Sequence, residues 1–217
     1  ISIFFFVSIY ISNNKFKILE LDKKSCILSI FITWIVLILM GTIPLYIIFP
    51  EEEIKNIFFL SVSLSTTSGI WTEIENINKP EFFIWQAILQ WLGGLCTILV
   101  GSFFVEMVLR KKSILKDYFS IENIKIIFYL FLSLTVIFTI LFKLLLNSWS
   151  EAIQLSMALI STSNGYNPNG EIIVETNVIT KIVMIFAMIF GSLSINLHYK
   201  SFANGFLSYF KNKNFKL

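Results

Sequence analysis

Two short runs of small polar residues, Ser65-Thr66-Thr67-Ser68-Gly69-Ile70 and Ser161-Thr162-Ser163-Asn164-Gly165-Tyr166, hold the residue types through which this sequence could do chemistry. Their hydroxyls and backbone carbonyls are oxygen ligands, and such oxygens can replace the water around a cation. A glycine within each run permits the backbone twist that would turn carbonyls toward a common axis. The chemistry on offer is ion coordination rather than bond making. Taken alone, each run also reads as a helix C-cap followed by a surface loop.

The flanking elements bear on that choice. Each run follows an apolar piece, Ile54–Leu64 or Glu151–Ile160, too short to cross a bilayer, since a spanning helix needs about twenty residues. Each piece sits between full-length apolar segments: Cys26–Ile48 and Phe82–Leu109 around the first, Ile124–Leu146 and Val178–Leu197 around the second. Non-helical backbone at membrane depth survives only where it is buried in protein or lines a wet cavity. The pattern therefore predicts a re-entrant hairpin, and it occurs twice. Ser65-Thr66-Thr67-Ser68-Gly69 lies over Ser161-Thr162-Ser163-Asn164-Gly165, and Trp91-Leu92-Gly93-Gly94-Leu95 over Ile189-Phe190-Gly191-Ser192-Leu193. The recurrence favours coordination over cap-and-loop. The expected fold is all-α and integral to the membrane, in two tandem helix–pore half-helix–helix repeats. Residues 1-24 would hold the end of a preceding helix and a cytoplasmic loop, 25-112 the first repeat, and 113-217 the second repeat and a cytoplasmic tail.

Composition agrees. The chain is 56% hydrophobic and 14% charged, with Phe at 23 of 217 residues, and its mean hydropathy is +0.77. No soluble globular domain has that balance. Cys26 and Cys96 both fall in apolar segments and read as buried thiols rather than a disulfide or a metal site. No nucleotide loop, nucleophile constellation or metal-ligand cluster occurs, so no enzyme activity, organic cofactor or nucleic-acid partner is expected. The first residue is Ile1, and Ile1–Ser12 is about half a span without a basic leader. It reads as the end of a helix that begins earlier, in a chain cut from something longer.

Charge gives an orientation. Of the 17 basic residues, only Lys55, Lys79, Lys143 and Lys181 lie outside the loops that precede the first and follow the second long helix of each repeat. The opposite side collects Glu51, Glu52, Glu53, Glu73, Glu75, Glu81, Glu151, Glu171 and Glu175. The positive-inside rule makes the basic loops cytoplasmic, so both half-helices enter from outside. Gly93-Gly94 would let another backbone approach closely, with a gating hinge as the other reading. His198, the single histidine, reads as an interface anchor or hydrogen-bonding residue before a proton relay. Glu106 and Lys143 sit near helix ends, where snorkelling accounts for them.

Several motifs resemble the Trk/Ktr/HKT superfamily of potassium transporter membrane subunits, most closely the bacterial Trk type. They are Val62-Ser63-Leu64-Ser65-Thr66-Thr67-Ser68-Gly69, Trp85-Gln86-Ala87-Ile88-Leu89-Gln90-Trp91-Leu92-Gly93-Gly94, the run Ile160 to Tyr166, and Ile195-Asn196-Leu197-His198-Tyr199-Lys200. The resemblance implies four such repeats around one pore in a pseudo-fourfold, channel-like fold, of which this sequence carries the first two. It implies potassium as the transported ion, taken up across the cytoplasmic (inner) membrane. The ligands it implies are Thr67, Ser68, Gly69 and Ile70 in the first filter strand and Ser163, Asn164, Gly165 and Tyr166 in the second. Asn164 departs from the glycine or small residue usual there. Third and fourth repeats, a homodimer and a cytosolic nucleotide-binding regulatory subunit are the implied partners. Two other readings stay open: a non-conducting membrane scaffold or assembly partner derived from a transporter half, and a two-repeat cation channel completed by dimerisation.

Overall fold

The polar backbone of an apolar segment in a bilayer must satisfy its own hydrogen bonds, and within a single segment only a helix does so. In the computed structural model, residues 23–70, 74, 79–109, 121–146, 148–163, 177–193 and 198 are described, and no strand occurs among them. They form helices α1 (Lys23–Ile48), α2 (Ile54–Ser65), α3 (Pro80–Leu109), α4 (Ile121–Leu145), α5 (Trp149–Ile160) and α6 (Val178–Ser192). The chain falls into two units, Ile1–Thr33 and Trp34–Leu217. Of the first, the described part is the opening of α1. All the packing below lies within the second.

The windows Phe31–Ile48 in α1, Pro80–Gly101 in α3 and Lys125–Leu145 in α4 are long and apolar enough to cross a membrane. At 12 residues each, α2 and α5 are about 18 Å long and reach only partway through a hydrocarbon core about 30 Å thick. Glu53 precedes α2 without a side-chain cap. Ser148 caps α5, accepting from the Glu151 amide in a Ser-x-x-Glu arrangement.

The fourth span expected over Val178–Leu197 is corrected. α6 stops at Ser192 after 15 residues, because Leu193 turns to extended backbone (φ −68°, ψ 145°). Residues 194–197 lie outside the described ones. Asn177 starts the helix, its side chain accepting from the Thr180 amide and hydroxyl, both at 2.9 Å. His198 Nε2 lies 2.9 Å from the Phe190 carbonyl, and the two rings stack. A carbonyl only accepts, so Nε2 carries the hydrogen. In an unbroken helix residues eight apart are separated by about 12 Å along the axis, so His198 does not continue α6. The hydrogen-bonding reading of His198 holds.

Two apolar cores result. Leu37, Leu45, Phe49, Ile57, Leu60, Leu64, Phe82 and Leu89 join α1, α2 and α3. The second gathers Phe131, Phe138 and Phe142 of α4, Leu155, Leu159 and Ile160 of α5, and Met184 and Ala187 of α6. Trp91 of α3 belongs to this second core, and its indole Nε1 donates to Thr135 Oγ1 at 2.9 Å. Leu92 packs against both. α3 is therefore the shared wall. In lipid, such contacts are held by close packing and buried hydrogen bonds rather than by escape from water.

Candidate cation site

The two half-helices bury the same face. Ile57, Leu60, Ser61, Ser63, Leu64 and Ser65 of α2 correspond, in order and spacing, to Ala152, Leu155, Ser156, Ala158, Leu159 and Ile160 of α5. Their hydroxyls tie each half-helix to a neighbouring long helix. Ser61 Oγ donates to the Ile38 carbonyl of α1 at 2.7 Å, and Ser156 Oγ shares a hydrogen with Thr139 Oγ1 of α4 at 2.6 Å.

They also end alike. Thr67 and Thr162 both take the left-handed conformation, at φ 55° and 53°. The Thr67 amide donates to Leu64 O and the Ser68 amide to Ser63 O, at 3.2 and 3.1 Å. The Thr162 amide donates to Leu159 O and the Ser163 amide to Ala158 O, at 3.0 and 2.9 Å. These are the paired bonds of a Schellman helix end, which satisfy carbonyls that a helix terminus leaves open. A β-branched residue at positive φ is a backbone outlier, costing about 1–2 kcal/mol. Strain of this kind at the same point in two hairpins marks a constrained site.

This geometry corrects the alignment of the two runs. Thr67 pairs with Thr162 and Ser68 with Ser163, so counting on sets Gly69 against Asn164. Matching the glycines had placed the register one residue away, because it followed side-chain types while the helix end fixes the backbone. Gly69 itself is left-handed, at φ 67°, which suits glycine. Of the predicted ligands, Thr67, Ser68, Gly69, Ile70 and Ser163 are described, while Asn164, Gly165 and Tyr166 lie outside the described residues. Thr162 was not among the expected ligands. The matching burial of the two half-helices is the signal that would have found it.

The glycine pair of α3 brings the two ends together. A Cβ on Gly93 would lie 2.0 Å from the Ser65 carbonyl oxygen, and one on Gly94 would lie 2.5 Å from Ser161 Cβ. Neighbouring Cα atoms are about 3.8 Å apart, so the C-termini of both half-helices are seated on a single point of α3. On α6, a Cβ on Gly191 would lie 2.3 Å from the Ile160 carbonyl oxygen, repeating the contact of Gly93. Close packing, rather than a hinge, accounts for the Gly93-Gly94 pair.

Electrostatically, each half-helix points the negative end of its dipole at its loop. Such an end favours a cation over an anion. The acids Glu51, Glu53 and Glu81 are exposed at the opposite end of α2 and the start of α3, and Glu53 pairs with Lys55 at 2.5 Å. Lys79 Nζ donates to the Ile48 carbonyl at 2.6 Å and lies over the Phe49 ring, so it closes the end of α1. Lys143 Nζ lies over the Trp149 ring, while the side chain of Glu106 is outside the described ones. Cys96 is a free thiol. Among the described residues, no group of His, Cys, Asp and Glu could hold a transition-metal ion. The oxygens available are hydroxyls and carbonyls, which suit a weakly hydrated monovalent cation.

Among the described residues, three membrane-length helices, with two matched half-helices seated on a glycine pair, define a multi-pass membrane protein. Comparison with known proteins gives that class its particulars. The crystal structure of the potassium transporter TrkH from Vibrio parahaemolyticus matches 95% of this chain and 44% of its own, with a TM-score of 0.71 and 21% identity. The fold is that of a Trk-type membrane subunit. An uncharacterised cation transporter of Methanocaldococcus jannaschii is 28% identical over 183 residues, 78% of this chain and 38% of that protein. The Trk system potassium uptake protein TrkI of Halomonas elongata is 33% identical over 72 residues, 32% of this chain and 14% of its own. The chain thus spans less than half the length of the relatives it matches. No family model matches the sequence. These relatives are transporters, not enzymes.

Proposed function

We propose that the chain conducts potassium across the cytoplasmic (inner) membrane as part of a four-repeat transporter. The convergence of two Schellman-terminated half-helices on Gly93-Gly94 carries this reading. It brings two dipole ends, each followed in sequence by an oxygen-rich run, to neighbouring positions on α3. Thr67, Ser68 and Gly69 offer the carbonyls of one filter strand, which Ile70 completes with its own carbonyl turned to the Ser63 hydroxyl, and Ser163, Asn164, Gly165 and Tyr166 continue the second, with Thr162 added at its root. Two further strands, from a third and fourth repeat, complete the cage. An inside-negative potential then favours cation entry by about 2.3 kcal/mol per 100 mV. The regulatory partner is a cytosolic nucleotide-binding subunit and the assembled form a homodimer, as in the Trk-type resemblance.

Gly69 gives the test. Its φ of 67° would strain any residue with a Cβ, so Gly69→Ser should lower the preference for potassium over sodium while the protein remains folded and abundant. Flux ratios are measured in proteoliposomes holding the full-length transporter under an imposed potential. An unchanged ratio in Gly69→Ser protein of normal abundance would overturn the filter assignment. Robust potassium-selective flux from residues 1–217 alone would instead support the channel completed by dimerisation.

A further inference from the structure

The two loops that leave the half-helices are held differently. Ser63 is buried in the last turn of α2, and its hydroxyl donates to the Ile70 carbonyl at 2.6 Å. That bond uses its single hydrogen. The Ser68 hydroxyl, 3.2 Å from Ser63 Oγ and equally far from the Ser63 carbonyl, must then be the donor to either. The Ser63 carbonyl also takes the Ser68 amide at 3.1 Å. The Thr66 hydroxyl, 2.9 Å from the Val62 carbonyl, flanks the group. One serine thus holds residues 68 and 70 by both its side chain and its backbone.

The second half-helix has no equivalent hydroxyl at this position. Ala158 stands where Ser63 stands, as the backbone bond from the Ser163 amide shows. It has no hydroxyl to offer. Ser163 Oγ is buried and has no hydrogen-bond partner among the described residues.

We infer that Ser63 is a positioning residue that fixes the conformation of residues 67–70. On the filter reading above, on which this consequence rests, ion discrimination depends on the first strand, and the second is the adaptable one. Ser63 touches no ion; it acts by holding the Ile70 carbonyl turned back onto α2, which leaves the carbonyls of Thr67, Ser68 and Gly69 as the ones free to face a cation.

Hydrogen exchange and ion preference, measured on the full-length protein in nanodiscs, test the two parts separately. Ser63→Ala should speed amide exchange across residues 66–70 about tenfold, a loss of about 1.4 kcal/mol, and leave residues 159–163 unchanged. It should also reduce the ratio of apparent potassium to sodium affinities, read from ion-dependent thermal stabilisation, about fivefold. Ser63→Thr keeps the hydroxyl and should retain wild-type behaviour in both. Ala158→Ser supplies a partner to Ser163 and should slow exchange across residues 161–163. Unchanged exchange in Ser63→Ala, or equal effects of the alanine and threonine variants, would overturn the inference. A wild-type protein with no potassium preference would overturn the filter reading instead, and exchange alone would then decide the role of Ser63.

Discussion

In the first hairpin the residues after the half-helix fold back onto it through Ser63; in the second, Ala158 offers only its carbonyl. Four features match between the hairpins: buried positions, the serine tie to a neighbouring helix, the left-handed threonine and the glycine seat. The seat and the helix end are thus a shared platform, and what differs is the hydroxyl that Ser63 has and Ala158 lacks. Two strands of one site can share a backbone frame and still differ in stiffness, since a single buried hydroxyl contributes about 1 kcal/mol. On the proposed filter reading, the platform would set where a cation sits and the fastening how sharply its size is judged.

The most damaging way to break the comparison is to fill the glycine seats. Gly93→Ala drives a Cβ to 2.0 Å from a backbone oxygen, and Gly191→Ala to 2.3 Å from its counterpart. Neither neighbour is the tip of a flexible side chain, so the half-helix itself must shift. Overpacking of this kind costs about 1–3 kcal/mol or more. Both variants should fall in thermal stability and yield, Gly93→Ala at least as far as Gly191→Ala. Gly101→Ala is the internal control, since nothing lies within 4 Å of its added Cβ. It should be neutral or gain up to about 1 kcal/mol of helix propensity. A Gly93→Ala protein as stable as Gly101→Ala would remove the seat from the account.

Gly94→Ala sharpens the comparison rather than breaking it. Its Cβ would meet Ser161, at the end of the other half-helix, so it disturbs the contact between hairpins and not the one within the first. The nearest atom is a side-chain Cβ at 2.5 Å, with the Ser161 Cα at 2.9 Å, so some relief by a small shift is available. The expected loss is about 1–2 kcal/mol, smaller than for Gly93→Ala. Crosslinking of cysteines placed on α2 and α5 should report the change, with the pattern inside the first hairpin preserved.

Much of this was legible from the residues. Length and apolarity alone marked α1, α3 and α4 as spans, and the short reach of Ile54–Leu64 and Glu151–Ile160 marked them as half-helices. The recurring Ser/Thr/Gly break pointed at the loops. Two things were not legible. The register between Thr67 and Thr162 follows from backbone hydrogen bonds, to which side-chain identity is nearly blind; the glycine match outweighed the burial pattern that held the answer. The end of α6 at Ser192 is the other, because apolar residues run on past it to Leu197 and nothing in composition forces Leu193 out of the helix. The role of Ser63 was hidden for a related reason. A serine in an apolar helix reads as a packing residue until its partner seven residues on is known.

The smallest expected effect separates the two serines that follow the left-handed threonines. Ser68 and Ser163 share a backbone position, and each amide bonds to the carbonyl five residues back, which an alanine would preserve. Their hydroxyls differ. That of Ser68 reaches Ser63, at 3.2 Å to either oxygen, and its loss should cost about 0.5–1.5 kcal/mol. That of Ser163 is buried without a partner among the described residues, so an alanine there breaks no hydrogen bond within them. Ser163→Ala should therefore be neutral or stabilising by up to about 1 kcal/mol, where Ser68→Ala is destabilising. Thermal melts of the two variants in the same detergent make the comparison, with Ser63→Ala as a third background. In that background Ser68→Ala should lose part of its cost, since one of its two acceptors is gone, while the effect of Ser163→Ala should stay the same. Equal losses for Ser68→Ala and Ser163→Ala would mean that both loops are fastened alike and that the asymmetry at Ser63 and Ala158 has no energetic consequence.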